Sequence, residues 1–155
     1  VEGILGHFKK RNLKIALIPG NHESLATTNF LAELYGAFNL HGYALRIGDV
    51  GIFGCGYANI GIHQLEDHEF FETLKKAHEQ VKDCRKKIMV THVHPSNSIF
   101  EFGLFAGSHG VRKAVEDLKP DIHLFGHMHE TEGIEDMLGK TKMINVGKKG
   151  KIIEV

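Results

Sequence analysis

The sequence predicts an α/β domain: a pair of mixed sheets with helices on the outside. Three observations carry this. Short apolar runs, Ile15-Ala16-Leu17-Ile18, Ile88-Met89-Val90 and Ile122-His123-Leu124-Phe125, each stop at a polar segment, as buried strands do. Segments with a helical period lie between them. Two further places read as hairpins, at Gly48-Asp49 and at Leu138-Gly139-Lys140. A chain of 155 residues, 42% of them hydrophobic, supports one domain with a core of its own.

Taken in order, Val1 to Arg11 reads as the tail of a helix, with Ile4, Leu5 and Phe8 apolar and a basic end. Lys14 to Pro19 is expected as a strand with Gly20 as its tight exit. Ser24 can cap a helix from Leu25 to about Tyr35, with Phe30, Leu31 and Leu34 on one face. Tyr43–Ile47 and Val50–Cys55 form the first hairpin. Gly51, Gly54, Gly56 and Gly61 mark close backbone approaches or loop positions. Leu65 to Lys82 is the clearest helix, because Phe70, Leu74, Ala77 and Val81 recur at spacings of four, three and four. Lys87 to Thr91 is a buried strand, and Pro95 to Gly107 a loop. Ser108 can cap a helix that stops at Leu118, before Pro120. Asp121–Phe125 is a strand, Gly133–Met137 and Thr141–Val146 a hairpin, and Lys151–Val155 a last strand.

Composition excludes several classes of function. Nineteen basic residues balance nineteen acidic ones, which leaves no electrostatic footprint for nucleic acid or an anionic membrane. No apolar stretch approaches the ~18 residues of a membrane span, and no signal peptide is visible. Cys55 and Cys84 lie far apart in the chain and form no C-x-x-C pair. They read as free thiols in a reducing compartment, with the cytoplasm as the expected location.

The chemistry gathers where the strands end. Gly20-Asn21-His22-Glu23, Thr91-His92-Val93-His94-Pro95 and Gly126-His127-Met128-His129 each follow an apolar run. In open α/β sheets, the carboxyl ends of neighbouring strands converge on one crevice. Neutral imidazoles with a hard amide oxygen suit a divalent ion, and this mixed N/O set favours Mn, Fe, Ni or Zn. His127 and His129 alternate along an expected extended segment, so both can point at one metal cluster.

This ordered set resembles the calcineurin-like metallophosphoesterases, from about Ile15 to Val146. The resemblance implies a four-layer α/β/β/α sandwich with metals at the sheet edges. It implies a phosphoesterase with two divalent ions and a metal-held hydroxide, acting on a small phosphodiester or phosphomonoester. It assigns Asn21, His92 and His127 to the second ion, His129 to the first, and His22 to protonation of the leaving oxygen. His94 could compete with His92. The family uses one ligand there, so His92 takes the role and His94 lines the cleft or caps the turn. Glu23 reads as a supporting or helix N-terminal carboxylate, and Glu130 as supporting or substrate-facing. Phe100, Phe102 and Phe105 are core anchors or an apolar lip.

The sequence departs from the family in one respect. The D-x-H and G-D-x-x-D strand ends that open the family's pattern are absent, and Gly48-Asp49 is a hairpin turn rather than a ligand. The expectation is a single domain over residues 1–155 with an N-terminal βαβ segment encoded upstream. Two competing readings follow from the same gap: a catalytically inactive scaffold or interaction subunit on this fold, and a single structural metal held by the histidines.

Overall fold

The computed structural model describes residues 2–155. Its elements are α1 (Glu2–Lys10), β1 (Ala16–Leu17), α2 (Leu25–Tyr35), β2 (Phe38–Asn39), β3 (Ala44–Ile47), β4 (Val50–Cys55), α3 (Asp67–Glu79), β5 (Lys86–Thr91), α4 (His109–Leu118), β6 (Ile122–Phe125), a 3-10 turn at His129–Thr131, β7 (Glu135–Leu138) and β8 (Thr141–Asn145). β1 and β2 pair in parallel as a small sheet. The other six strands form one mixed sheet in the order β3-β4-β5-β6-β8-β7. Its four central strands are parallel, and the hairpins β3–β4 and β7–β8 supply its antiparallel edges.

Register explains the core. Phe53, Met89, His123 and Met143 stand opposite one another across β4, β5, β6 and β8. All four are essentially inaccessible. Phe70, Leu74 and Ala77 of α3, with Val111, Ala114 and Val115 of α4, cover most of this face. The opposite face carries Ile88, Ile122 and Ile144, with Val50, Ile52, Val90 and Leu124 only partly buried. Gly54 points to that side, and a Cβ there would meet Ile18 and Leu40 at 3.3 Å. The small sheet therefore packs on this face near β4, with α2 against it. The layers run α3/α4, large sheet, small sheet, α1/α2.

Helix ends follow local chemistry. Ser24 Oγ accepts from Thr27 N–H and starts α2. Glu66 and Glu69 form a reciprocal capping box on α3. At α4, Ser108 Oγ accepts from Val111 N–H and donates to Asp67, whose carboxylate also accepts the Gly110 N–H at 2.9 Å. A side chain at 110 would overlap the Asp67 carbonyl, so glycine lets the two helix starts cross.

Several expectations are corrected. The first strand is only Ala16–Leu17, because its partner β2 is equally short. Phe30 and Leu34 of α2 are exposed, and Thr28, Leu31 and Ala32 face inward, because α1 and the small sheet cover only that side. Lys151–Val155 pairs with nothing as a strand. Its backbone is irregular, Lys151 reaches Glu135, and Ile153 rests on the half-covered sheet face. The His78 ring packs on Phe53 with centroids 5.3 Å apart. Val1, the first residue of the expected helix tail, lies outside the described residues.

Asp67→Ala should lower stability by about 1–2 kcal/mol at pH 7, read from the urea midpoint. Burial works to raise this carboxyl. The Gly110 N–H and Ser108 hydroxyl, with His109 nearby, outweigh burial and hold it below its ordinary value. A depressed carboxylate stabilises fully above its unfolded pKa, ~3.9, and the effect is lost as pH falls through the lower native value. The gap between the two proteins should therefore narrow in acid. A gap of only a few tenths of a kcal/mol at pH 7 would contradict the cap.

Candidate metal centre

Three chain segments meet at one open cavity of about 390 Å3, lined by Asn21, His22, Glu23, His92, His127 and His129. Asn21 to Glu23 leave β1 of the small sheet, while His92 and His127 leave β5 and β6, parallel neighbours in the large one. Gly126 N–H donates to His92 C=O at 3.1 Å, which ties the two exits together. His92 Nε2 lies 3.0 Å from Asn21 Oδ1 and 3.2 Å from His127 Nδ1. The two imidazoles meet edge to face, centroids 5.0 Å apart. A larger cavity of about 460 Å3 lies between Val115, Leu138 and the charged Glu116, Lys119 and Lys140. It holds no imidazole, and the candidate chemistry is not there.

Local backbone chemistry makes the convergence possible. His127 has φ +66, a left-handed conformation that a non-glycine residue adopts at a cost of about 1–2 kcal/mol. Met128 N–H closes this tight turn on Gly126 C=O at 2.8 Å, and His129 opens the 3-10 turn. The expected extended His127–His129 segment is thus a turn, yet both rings still border the cavity. Gly61, at φ +110, brings its backbone against Asn21: a Cβ there would lie 2.8 Å from Asn21 Nδ2. The amide nitrogen therefore faces residue 61, and Oδ1 faces His92. Gly20 likewise leaves room for Glu23 and His92.

Behind the site lies a buried clamp, in which His123 is packed and hydrogen-bonded within its strand as its place in an apolar run suggests, and whose Thr91 partner the sequence reading did not identify. Thr91 Oγ donates to Val93 C=O at 2.6 Å and sits 2.7 Å from His123 Nε2. Its one proton is committed to Val93, so His123 donates from Nε2. The pair brackets residues 91 to 93, the bend that presents His92. A threonine before the strand-end His and a histidine inside a strand were the available signals. His94 is fully buried rather than cleft-lining, and neither of its ring nitrogens has a partner among the described residues. The loop phenylalanines divide: Phe100 is a core anchor against Phe125, centroids 4.7 Å apart, while Phe102 and Phe105 are exposed. Ser24, not Glu23, caps α2, and Glu23 borders the cavity instead.

Burial and neighbouring imidazoles favour the neutral forms of His92 and His127. Burial, then the neighbouring His127, His22 and His129, push His92 down to about 4. Burial and the adjacent His129 and His22 also lower His127. Neutral imidazoles are the form that binds metal.

The donor set answers which ions fit. Adjacent donors around an ion at ~2.1 Å stand roughly 3.0–3.4 Å apart, so Asn21 Oδ1, His92 Nε2 and His127 Nδ1 match part of one coordination shell. Among the described residues no group of three or more His, Cys, Asp or Glu side chains is gathered for a metal. The convergent set contains two imidazoles, and its third donor is an amide. Of the ligands the family resemblance assigns, His129 alone is left for another ion among the described residues. The residues fit one ion and do not by themselves form a dinuclear centre.

Comparison with known proteins agrees with the geometry. The chain belongs to the calcineurin-like phosphoesterase family, whose family model matches residues 2–131. It is 30% identical over 114 residues to UPF0046 protein K07C11.7 of Caenorhabditis elegans, covering 69% of this chain and 36% of that protein. The chain thus spans about a third of that relative's length. Two solved structures share the fold. TT1561 of Thermus thermophilus has a TM-score of 0.70 at 20% identity, over 94% of this chain and 68% of its own. The sulfate thiohydrolase SoxB of Thermus thermophilus has a TM-score of 0.58 at 13% identity, over 97% of this chain and 30% of its own. Among the described residues no helix is long and apolar enough to cross a membrane.

Acid should reveal the buried clamp. Burial, then His94, pushes His123 down to about 3, and its Nδ1 has no partner among the described residues. The unfolded chain takes up this proton below about pH 6.5, and the native state does so only near pH 3. The unfolded state binds more protons in that window, so stability falls as pH drops through it. His123→Phe should show a shallower loss from pH 6.5 to 4 in urea titrations. Parallel curves for the two proteins would contradict the assignment.

Proposed function

We propose that this chain carries half of the active site of a metal-dependent phosphoesterase acting on a small phosphodiester or phosphomonoester. The convergence of Asn21, His92 and His127 on one cavity, with His22 and His129 on its walls, carries the reading. Asn21, His92 and His127 would hold one divalent ion of the Mn, Fe, Ni or Zn kind. Such an ion, when bound, stabilises charge on phosphoryl oxygens and lowers the pKa of water.

The chain's own residues divide the remaining work. Parallel pairing of β5 with β6 sets the spacing of His92 and His127 before any ligand arrives. Asn21 fixes the approach of the small sheet, so His22, the next residue, faces the same cavity from an exposed position. An imidazole near neutral pH can pass a proton to a departing alkoxide, and that is the role assigned to His22. His129 stands at the rim, where it would join donors of the absent D-x-H and G-D-x-x-D motifs. Those donors are proposed to come from a segment preceding this chain in the whole protein, which would then hold two ions. A scaffold without catalysis is favoured by one observation alone, the lone His129 on that side of the cavity.

Two measurements separate the readings. The chain alone should hydrolyse bis(4-nitrophenyl) phosphate at close to the uncatalysed rate with Mn2+ present. A whole protein carrying both acidic motifs should turn over, and an inactive whole protein would favour the scaffold. In the active form His22→Ala should retain metal and lose rate, by about 10²–10⁴-fold for alkyl esters and much less for nitrophenyl esters. Equal losses on both ester types would remove the proton-donor role.

A further inference from the structure

Beside the imidazole cavity lies a second, smaller cleft of about 210 Å3, lined by Asn59, Ile60, Leu104, Phe105 and Ala106. No charged side chain lines it. Two loops build it: the residues after β4, and the stretch between β5 and α4. Asn59 latches them together, donating from Nδ2 to Ala106 C=O at 3.1 Å and to Gly107 C=O at 3.3 Å. Chain neighbours of the cleft reach the candidate centre. Gly61, next to Ile60, has its backbone against Asn21, and His63 N–H donates to Asn21 C=O at 3.2 Å.

Several of the chain's exposed apolar side chains gather at this cleft. Leu104 is 100% exposed and Ile62 76%, with Ile60, Phe102 and Phe105 also open to solvent. Exposed apolar groups gathered next to a polar cavity are a feature of binding surfaces. The cleft falls below the ~300–1,000 Å3 of pockets for drug-sized ligands. It suits a fragment such as one aromatic ring or a branched alkyl group.

We infer, resting on the phosphoester reading of the neighbouring cavity, that the Ile60–Leu104–Phe105 cleft binds an apolar group of the ester, so that the favoured ligand is an aryl or branched-alkyl phosphate. The phosphoryl group sits among the imidazoles, and the apolar group lies across Gly61 into the cleft. A glycine at 61 lets the backbone next to Ile60 close on the Asn21 side chain, which keeps the cleft and the imidazole cavity near each other.

The test is a binding measurement rather than turnover. Inorganic phosphate, methyl phosphate and phenyl phosphate are titrated into the protein with Zn2+ present, followed by 15N–1H correlation spectra. All three should shift the amides of Gly20, His22 and Gly126. Phenyl phosphate alone should also shift Ile60, Leu104 and Phe105, and should bind at least tenfold more tightly than methyl phosphate. Leu104→Ser, a change at a fully exposed position that puts the fold at little risk, should erase that preference. If phenyl and methyl phosphate bind equally at the imidazole residues, the cleft assignment fails and the phosphoester reading stands. If no phosphate shifts the imidazole residues, both fail. Shifts at Leu104 and Phe105 on dilution, or with phosphatidylcholine vesicles, and none with phenyl phosphate, would give the cleft to a second copy or a bilayer and overturn the inference.

Discussion

The site depends on the parallel pairing of β5 with β6. Ile88 opposes Ile122, Met89 opposes His123 and Val90 opposes Leu124. A parallel pair leaves both carboxyl ends at the same edge of the sheet. His92 and His127 therefore emerge side by side, and the Gly126–His92 backbone bond holds them there. A one-residue slip would move His123 from the covered face to the half-open one and would part the two imidazoles. The burial of Phe53, Met89 and Met143 beside His123 opposes that slip, so the core on one face fixes the chemistry at the edge.

The two faces of the large sheet are unequal, and the inequality explains where strain and exposure lie. The face under α3 and α4 is closed. The other meets a sheet of two short strands, so Ile52, Val90 and Leu124 keep partial exposure, and Phe30 and Leu34 of α2 face solvent. Asn21 and His22 come from the smaller side. Their placement relies on the Gly56 and Gly61 approaches that bring the loop after β4 against Pro19 and Asn21. The left-handed backbone at His127 is held in turn by the pairing of β6 with β5 and β8, which fixes the strand immediately before it.

Much of this was legible in the sequence, for physical reasons. Strand ends carrying Asn and His after apolar runs announced the cavity. Ser24 and Ser108 marked helix starts because their hydroxyls have no better use there. The Phe70–Leu74–Ala77–Val81 period marked α3. What escaped needed tertiary information. Lys151–Val155 has strand-like residues, yet it joins neither sheet. Phe30 and Leu34 satisfy a helical period that the fold leaves uncovered. The His127–His129 turn reads as extended because local spacing cannot report a positive φ. His94 reads as a cleft or turn histidine until the fold shows it buried, whereas His123, inside an apolar run, reads as packed and is so. The family resemblance assigned roles to Asn21, His22, His92, His127 and His129. The structure adds their common cavity, not their roles.

Zinc titration of the chain at pH 7, by calorimetry, tests the central claim most directly. The convergent donors Asn21, His92 and His127 should take up one ion per chain, weakly, and His127→Ala should abolish that uptake while the circular dichroism spectrum is unchanged. Two ions per chain, or uptake undiminished in His127→Ala, would contradict the half-site described here.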